Sequence, residues 1–244
     1  MSSRSARLAR AVRLALRDAA DPSKARGMQA YMKSAMPYRG VQAPVLRAAV
    51  KAVFALHPLE SFAEWRDAVL ALWREARYRE ERYAAIEVIA WPKHKHFRTL
   101  DALPIYEEII MAGAWWDFVD AIATHQLGEL LRQYPREVAP VLRRWAVSED
   151  IWRRRAAILA QLGFKRDTDL DLLYDCIRPS AGAGEFFLRK AIGWALREFS
   201  KTDPTEVIRF VREHDHLLSP LTKREALKHC TSQARSRQAK RNRG

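Results

Sequence analysis

The stretch AWWDFVDAI, residues 114–122, sets two tryptophans and two aspartates, Asp117 and Asp120, within nine residues of a chain that otherwise collects arginine. The plainest reading is a hydrophobic helical turn with both carboxylates facing water. The reading with chemical content is an acid kept against aromatic surface. Other reactive side chains form weaker patterns. HKHF carries His94 and His96, and HDH carries His214 and His216. A spacing of two on a helix sends the rings to opposite sides, and no further ligands accompany either pair, so no metal site is expected. Cys176 and Cys230 form no CxxC and point to neither zinc nor a disulfide framework. The chain contains no GxxxxGK[ST] loop for a triphosphate and no GxSxG elbow. No cofactor is expected.

Charge gives the first indication of a partner. The formal net charge is +14, and a surface this positive attracts polyanions and gains affinity by releasing their condensed counterions. Nucleic acid is therefore the expected partner. Five of the basic residues lie in QARSRQAKRNRG, at the C-terminal end, where there is no apolar periodicity. Residues 231–244 are accordingly expected to be a flexible, phosphate-binding tail behind a single domain over 1–230. No apolar run approaches the roughly 20 residues that cross a bilayer. The opening MSSRSARLARAVRLALRDAA breaks each apolar stretch with arginine, and Asp18 and Asp21 follow closely, which argues against a targeting or membrane-surface helix. A monomer in a reducing cytoplasm, without a membrane partner, is the expectation.

The elements that must position these residues are helices. Glycines number nine, no Asn-Gly or Asp-Gly hairpin signal occurs, and apolar residues recur at spacings of three and four in DAVLALWREARYREERYAAIEVIAW. Pro22, Pro44, Pro58, Pro104, Pro140, Pro179, Pro204 and Pro220 are read as stops between helices. One short pattern then returns six times: LRAAV, RYAAI, FVDAI, RRAAI, LRKAI and KREAL. Its last residues, Val50, Ile86, Ile122, Ile158, Ile192 and Leu227, are 36, 36, 36, 34 and 35 apart, and alanine precedes each of them. Such a period holds two helices and their turns, and a small residue beside a buried aliphatic one permits close stacking of neighbours. The expected fold is all-α, an α-solenoid of about six HEAT-like helical hairpins with a concave basic face.

Within that frame, what all repeats share is packing, and what one repeat alone carries needs another reason. Three positions before each aliphatic anchor lie Arg47, Tyr83, Val119, Arg155, Arg189 and Arg224. The four arginines would make a basic stripe suited to phosphate, or each would pair with a neighbour's carboxylate. Two positions before the anchor, Asp120 stands where three of the other repeats have alanine, one has Lys190 and the last has Glu225. Positions spaced by four share a helix stripe, which groups Trp116 and Asp120 of the third repeat with Trp194 of the fifth. Trp115 and Asp117 are read as structural. The alternative for the trio is likewise structural, with the tryptophans in the core and Asp120 paired with Arg155.

The strings WWDFVD, IWRRRAAILAQL and FFLRKAIGWALREFSK, together with AYMKSAMPYRGV near residue 30, resemble the AlkD family of bacterial DNA glycosylases as far as KTDP at 204. The resemblance implies a catalytic site of Asp120, Trp116 and Trp194, and DNA contacts from Arg155 and Tyr31. Arg47, Arg189, Lys190 and Arg224 are added as DNA-binding residues from the basic stripe. The implied activity is hydrolysis of the N-glycosidic bond of N3- or N7-alkylated purines in duplex DNA, without base flipping, in bacterial cytoplasm at the nucleoid. Such lesions are cations and leave without a general acid, so the enzyme's task would be to stabilise the oxocarbenium-like sugar with a carboxylate and with tryptophan faces. Lys190 could in principle act as a Schiff-base lyase residue. A non-catalytic solenoid that binds nucleic acid or a protein partner is the alternative from another class.

Overall fold

The computed structural model describes the backbone of residues 3–241 and the side chains of residues 3–230. Of the basic tail expected at 231–244, residues 231–241 continue the last helix, while their side chains and residues 242–244 lie outside the described residues. Fourteen α-helices and no strand occur among the described residues, and the helices fall into two compact units, Met1–Tyr106 and Glu107–Gly244.

The first unit contains α1 (Ser3–Asp18), α2 (Pro22–Met32), α3 (Ala43–Leu56), α4 (Phe62–Arg74) and α5 (Arg79–Ala90), and α6 (Leu103–Gly113) leads into the second. In α1, Leu8, Ala9, Val12 and Leu16 are buried at helical spacing, and that stripe packs on α3 and α4. The loop before α3 is fixed by a buried acid. Glu80 on α5 accepts hydrogen bonds from the backbone N–H groups of Arg39, Gly40 and Val41 at 2.9–3.1 Å. Gly40 has φ +84°, and a Cβ there would lie 1.9 Å from the carbonyl oxygen of Asp21, so only glycine fits.

The second unit continues with α7 (Trp116–Ala121), α8 (Gly128–Gln133), α9 (Pro135–Ala146), α10 (Ile151–Leu159), α11 (Leu170–Ile177), α12 (Phe186–Phe199), α13 (Pro204–Glu213) and α14 (Pro220–Arg241). α7 and α8 are joined without a break by a π-helical segment, Ile122–Leu127. The repeat arithmetic holds. The six recurring strings fall on α3, α5, α7 with the start of the π-helical segment, α10, α12 and α14, with one helix between successive members once α7 and α8 are taken as the continuous element they form. α3 packs on α5 in the first unit, and in the second α7 packs on α10, α10 on α12 and α12 on α14. Of the six alanines that precede the anchors, Ala85, Ala157, Ala191 and Ala226 are buried, while Ala49 and Ala121 stay partly exposed. Alternating paired helices of this kind are consistent with an α-solenoid.

Pro140 is a correction. It does not separate helices but lies inside α9, which Pro135 begins. Pro140 leaves the carbonyl of Arg136 without its intrahelical partner, and both residues are exposed, so water can satisfy that oxygen. Elsewhere prolines punctuate as expected, with Pro22, Pro204 and Pro220 each opening a helix.

Gly193 marks the tightest helix contact. A Cβ there would lie 2.5 Å from Glu225 Cβ and 3.2 Å from the Thr222 carbonyl oxygen on α14, so the α12–α14 approach depends on its absence. Gly193→Ala should therefore cost about 1–2 kcal/mol, the overpacking penalty less the gain in helix propensity. At Gly27 in α2 a Cβ would meet nothing within 4 Å, and Gly27→Ala should stabilise by about 1 kcal/mol. Urea unfolding of the two variants reads both signs.

Candidate functional site

Asp120 sits in the last turn of α7, four residues after Trp116, so the two side chains share a helix face. Three local features set this face. Ala114 has φ +43°, a left-handed backbone that costs a non-glycine residue about 1–2 kcal/mol and turns the chain from α6 into α7. Trp115 is extended and fills an aromatic cluster, its ring centroid 6.2 Å from Trp152 and 5.3 Å from Phe187. Directly after Asp120 the helix widens into its π-helical segment, and Thr124 Oγ1 donates to the Asp120 carbonyl oxygen at 2.8 Å. The widened turn shifts the phase of the following residues, so Trp116 and Asp120 form a short face of their own.

The carboxylate of Asp120 is gripped from α10. Arg155 donates from Nε to one oxygen at 2.6 Å and from Nη2 to the other at 2.7 Å. This is the planar fork-to-fork geometry in which guanidinium and carboxylate match. The third nitrogen, Nη1, donates to the backbone carbonyl of Phe187 at 2.5 Å, and the Phe187 ring lies 6.0 Å from the guanidinium carbon. Arg155 therefore ties α7 to α12, the helix that carries Trp194. The Arg155 side chain is 6% exposed and that of Asp120 14%. The pair is largely buried, with Asp120 the more exposed partner. Burial pushes the Asp120 carboxyl above its ordinary value of 3.8, aided by the charge of Asp117, against the pull of the Arg155 hydrogen bonds and charge.

The remaining expected site residues lie in unlike surroundings. Trp116 and Trp194 are each partly exposed on their helices. Arg155, which the resemblance places against DNA, has its guanidinium on Asp120 and Phe187 within the protein. Arg189 donates to the Gly184 carbonyl oxygen. Lys190 pairs with Glu225 at 3.1 Å, and Arg197 holds the other oxygen of the same carboxylate at 2.8 Å. Arg224 is exposed on α14. In the first unit, Arg47 is exposed on α3 and Tyr31, at the end of α2, is 77% exposed. The four arginines of the repeat position thus differ, because a carboxylate on the preceding repeat captures Arg155 alone.

Sequence reasoning missed Phe187, Trp152, Ala114 and the π-helical segment. Phe187 acts through its main-chain oxygen, which no side-chain pattern reports. The aromatics Trp115, Trp152 and Phe187, which recur at about the repeat spacing, were the available signal for the cluster. No group of three or more His, Cys, Asp or Glu side chains suited to a metal ion occurs among the described residues. No helix among them is long and apolar enough to cross a membrane.

Residues 12–230 match the DNA alkylation repair enzyme family, and the chain belongs to it. A solved structure described as a predicted DNA alkylation repair enzyme from Enterococcus faecalis is similar, with 31% identity and a TM-score of 0.77 over 86% of this chain and 95% of that one. No curated protein matches the chain. Family membership supports a role in DNA repair, with DNA as the substrate.

Removing the guanidinium would leave a mostly buried carboxylate unpaired, which costs about 3 kcal/mol or more. Arg155→Ala should lose about that much stability in urea unfolding. Arg155→Lys, which keeps the charge but cannot form the fork, should recover part of it.

Proposed function

We propose that the protein is a DNA glycosylase that hydrolyses the N-glycosidic bond of cationic N3- and N7-alkylated purines in duplex DNA. The observation that carries this reading is the Asp120 carboxylate, held in fixed orientation by both oxygens on a side chain that is 14% exposed. A preorganised anion of this kind suits a reaction in which positive charge develops on the sugar as the base departs. Alkylation supplies the good leaving group, so nothing here need act as an acid. Asp120 would stabilise the oxocarbenium-like deoxyribose and orient or deprotonate the attacking water.

Trp116, one turn before Asp120, would present a π face to the same cationic sugar, and Trp194 on α12 would do so from the helix that Arg155 ties to the site. Each such contact contributes about 0.5–2 kcal/mol depending on desolvation. In this reading Arg155 is a positioning residue. It orients the carboxylate and offsets part of its desolvation, while phosphate contacts fall to exposed cations such as Arg47 and Arg224. The lesion base itself would be scarcely contacted, which fits a mechanism without base flipping. Lys190 is engaged by Glu225, which favours hydrolysis over a lyase reaction. A single chain in the cytoplasm remains the working assumption for assembly and location.

The test is release of free N7-methylguanine from duplex DNA by wild type and Asp120→Asn. The wild type should release the base, and the variant should bind the same DNA but lose at least about 100-fold in single-turnover rate. Binding without release by the wild type would instead support a non-catalytic scaffold. The pH profile is a second check. Asp120 must be ionised to act and burial raises its pKa, so the rate should fall as pH drops through a midpoint above 3.8. A midpoint at or below that value would remove Asp120 from the rate-limiting chemistry.

A further inference from the structure

A second charged feature lies in the same unit, where the C-terminal ends of three helices of one kind come together. Arg132 at the end of α8, Lys165, Arg166 and Asp167 after α10, and Lys201 and Thr202 after α12 line one cleft of about 480 Å³. Four cations and one carboxylate, Asp167, thus line the cleft across three successive repeats. We propose that this cleft is a phosphate-binding site, separate from Asp120, that receives a phosphodiester of the DNA backbone. The proposal draws its source of phosphate from membership of the DNA repair family and does not depend on glycosidic-bond chemistry.

The alternative is that these cations only complement the carbonyl ends of the helices. Arg132 does so in part. It donates to the Gly163 carbonyl oxygen at 3.1 Å, lies 3.5 Å from Asp167, and stacks on the Phe164 ring with its guanidinium carbon 3.9 Å from the centroid. Those contacts also fix its plane, so the wall of the cleft is a pre-oriented guanidinium, the group that suits a phosphate's paired oxygens. Lys201 contacts Glu198 at 2.6 Å and remains exposed at the rim. Lys165 and Arg166 are different. Their side chains are exposed, and they sit past the end of α10 on the short 3₁₀ turn Lys165–Asp167. Lys165 has φ +54°, a conformation that costs a lysine about 1–2 kcal/mol and a glycine almost nothing. The Lys165 carbonyl oxygen closes the turn by accepting from the Thr168 hydroxyl at 2.8 Å, and its side chain is left exposed at the mouth of the cleft. Diester phosphate fits this mixture of one oriented guanidinium and several exposed cations, and a duplex supplies phosphates at regular intervals along a row of repeats.

The experiment titrates unmodified duplex DNA against full-length wild type and Lys165→Glu/Arg166→Glu over a range of salt concentrations. A control, Arg144→Glu/Arg212→Glu, changes the net charge equally at exposed positions outside the cleft. Each lost phosphate contact should make the slope of log K against log salt shallower by about 0.9. The cleft variant should therefore lose about 1–2 in slope and at least about tenfold in affinity at low salt, with an unchanged thermal midpoint, while the control keeps the wild-type slope. Inorganic phosphate and adenosine monophosphate are titrated in parallel. Loss of their binding in the cleft variant with an unchanged duplex slope would overturn the backbone assignment in favour of a free anion. Equal slopes for all three proteins, an equal fall in the control, or a lowered thermal midpoint with an unchanged slope would each overturn the site. Because the DNA is undamaged, none of these results depends on whether the protein releases an alkylated base.

Discussion

The structure around the site depends on one buried ion pair. Asp120 on α7 and Arg155 on α10 satisfy each other through two parallel hydrogen bonds, and the guanidinium spends its remaining nitrogen on the Phe187 carbonyl of α12. Three consecutive members of the repeated helix series are thereby joined by one side chain. An ion pair of this kind adds little net stability, because desolvation of both charges offsets most of their attraction. What it provides is a carboxylate that cannot rotate. Burial disfavours its charge and Arg155 favours it, so the group is held as an anion with little competition from water.

The same pair explains why an acid stands in a chain of net charge +14. Long-range attraction of a polyanion is a property of the summed field and tolerates a few carboxylates. Stabilisation of developing positive charge is local and needs one carboxylate in one place. Exposed cations such as Arg47, Arg224, Lys165 and Arg166 serve the first role in this account and Asp120 the second. The aromatic cluster of Trp115, Trp152 and Phe187 stands beside the pair and lowers the local dielectric in which it acts.

Much of this was legible because repeats constrain sequence. The period near 35 residues marked six equivalent helices, and Asp120, standing where three other repeats have alanine, singled out the helix that carries the carboxylate. The same frame left the four arginines open between a phosphate-facing stripe and pairing with a neighbour's carboxylate, and Arg155 takes the second role. Repeat-equivalent positions share backbone geometry but not partners, and only Arg155 faces a carboxylate on the preceding repeat. Pro140 was misread because a proline's effect depends on which helix face its missing hydrogen bond lies on. The π-helical segment after Asp120 and the left-handed Ala114 gave no sign in residue type. Phe187 was invisible in a further sense, since its contribution is a main-chain oxygen.

The central claim is that a fixed anion at Asp120 acts on a substrate that carries its own positive charge. The most direct measurement compares single-turnover base release by the wild type from two duplexes of identical sequence, one with cationic N7-methylguanine and one with neutral hypoxanthine at the same position. The account predicts comparable binding of both and release from the first alone. Equal release from the two would contradict it, because a neutral purine leaves only with protonation that this site does not supply.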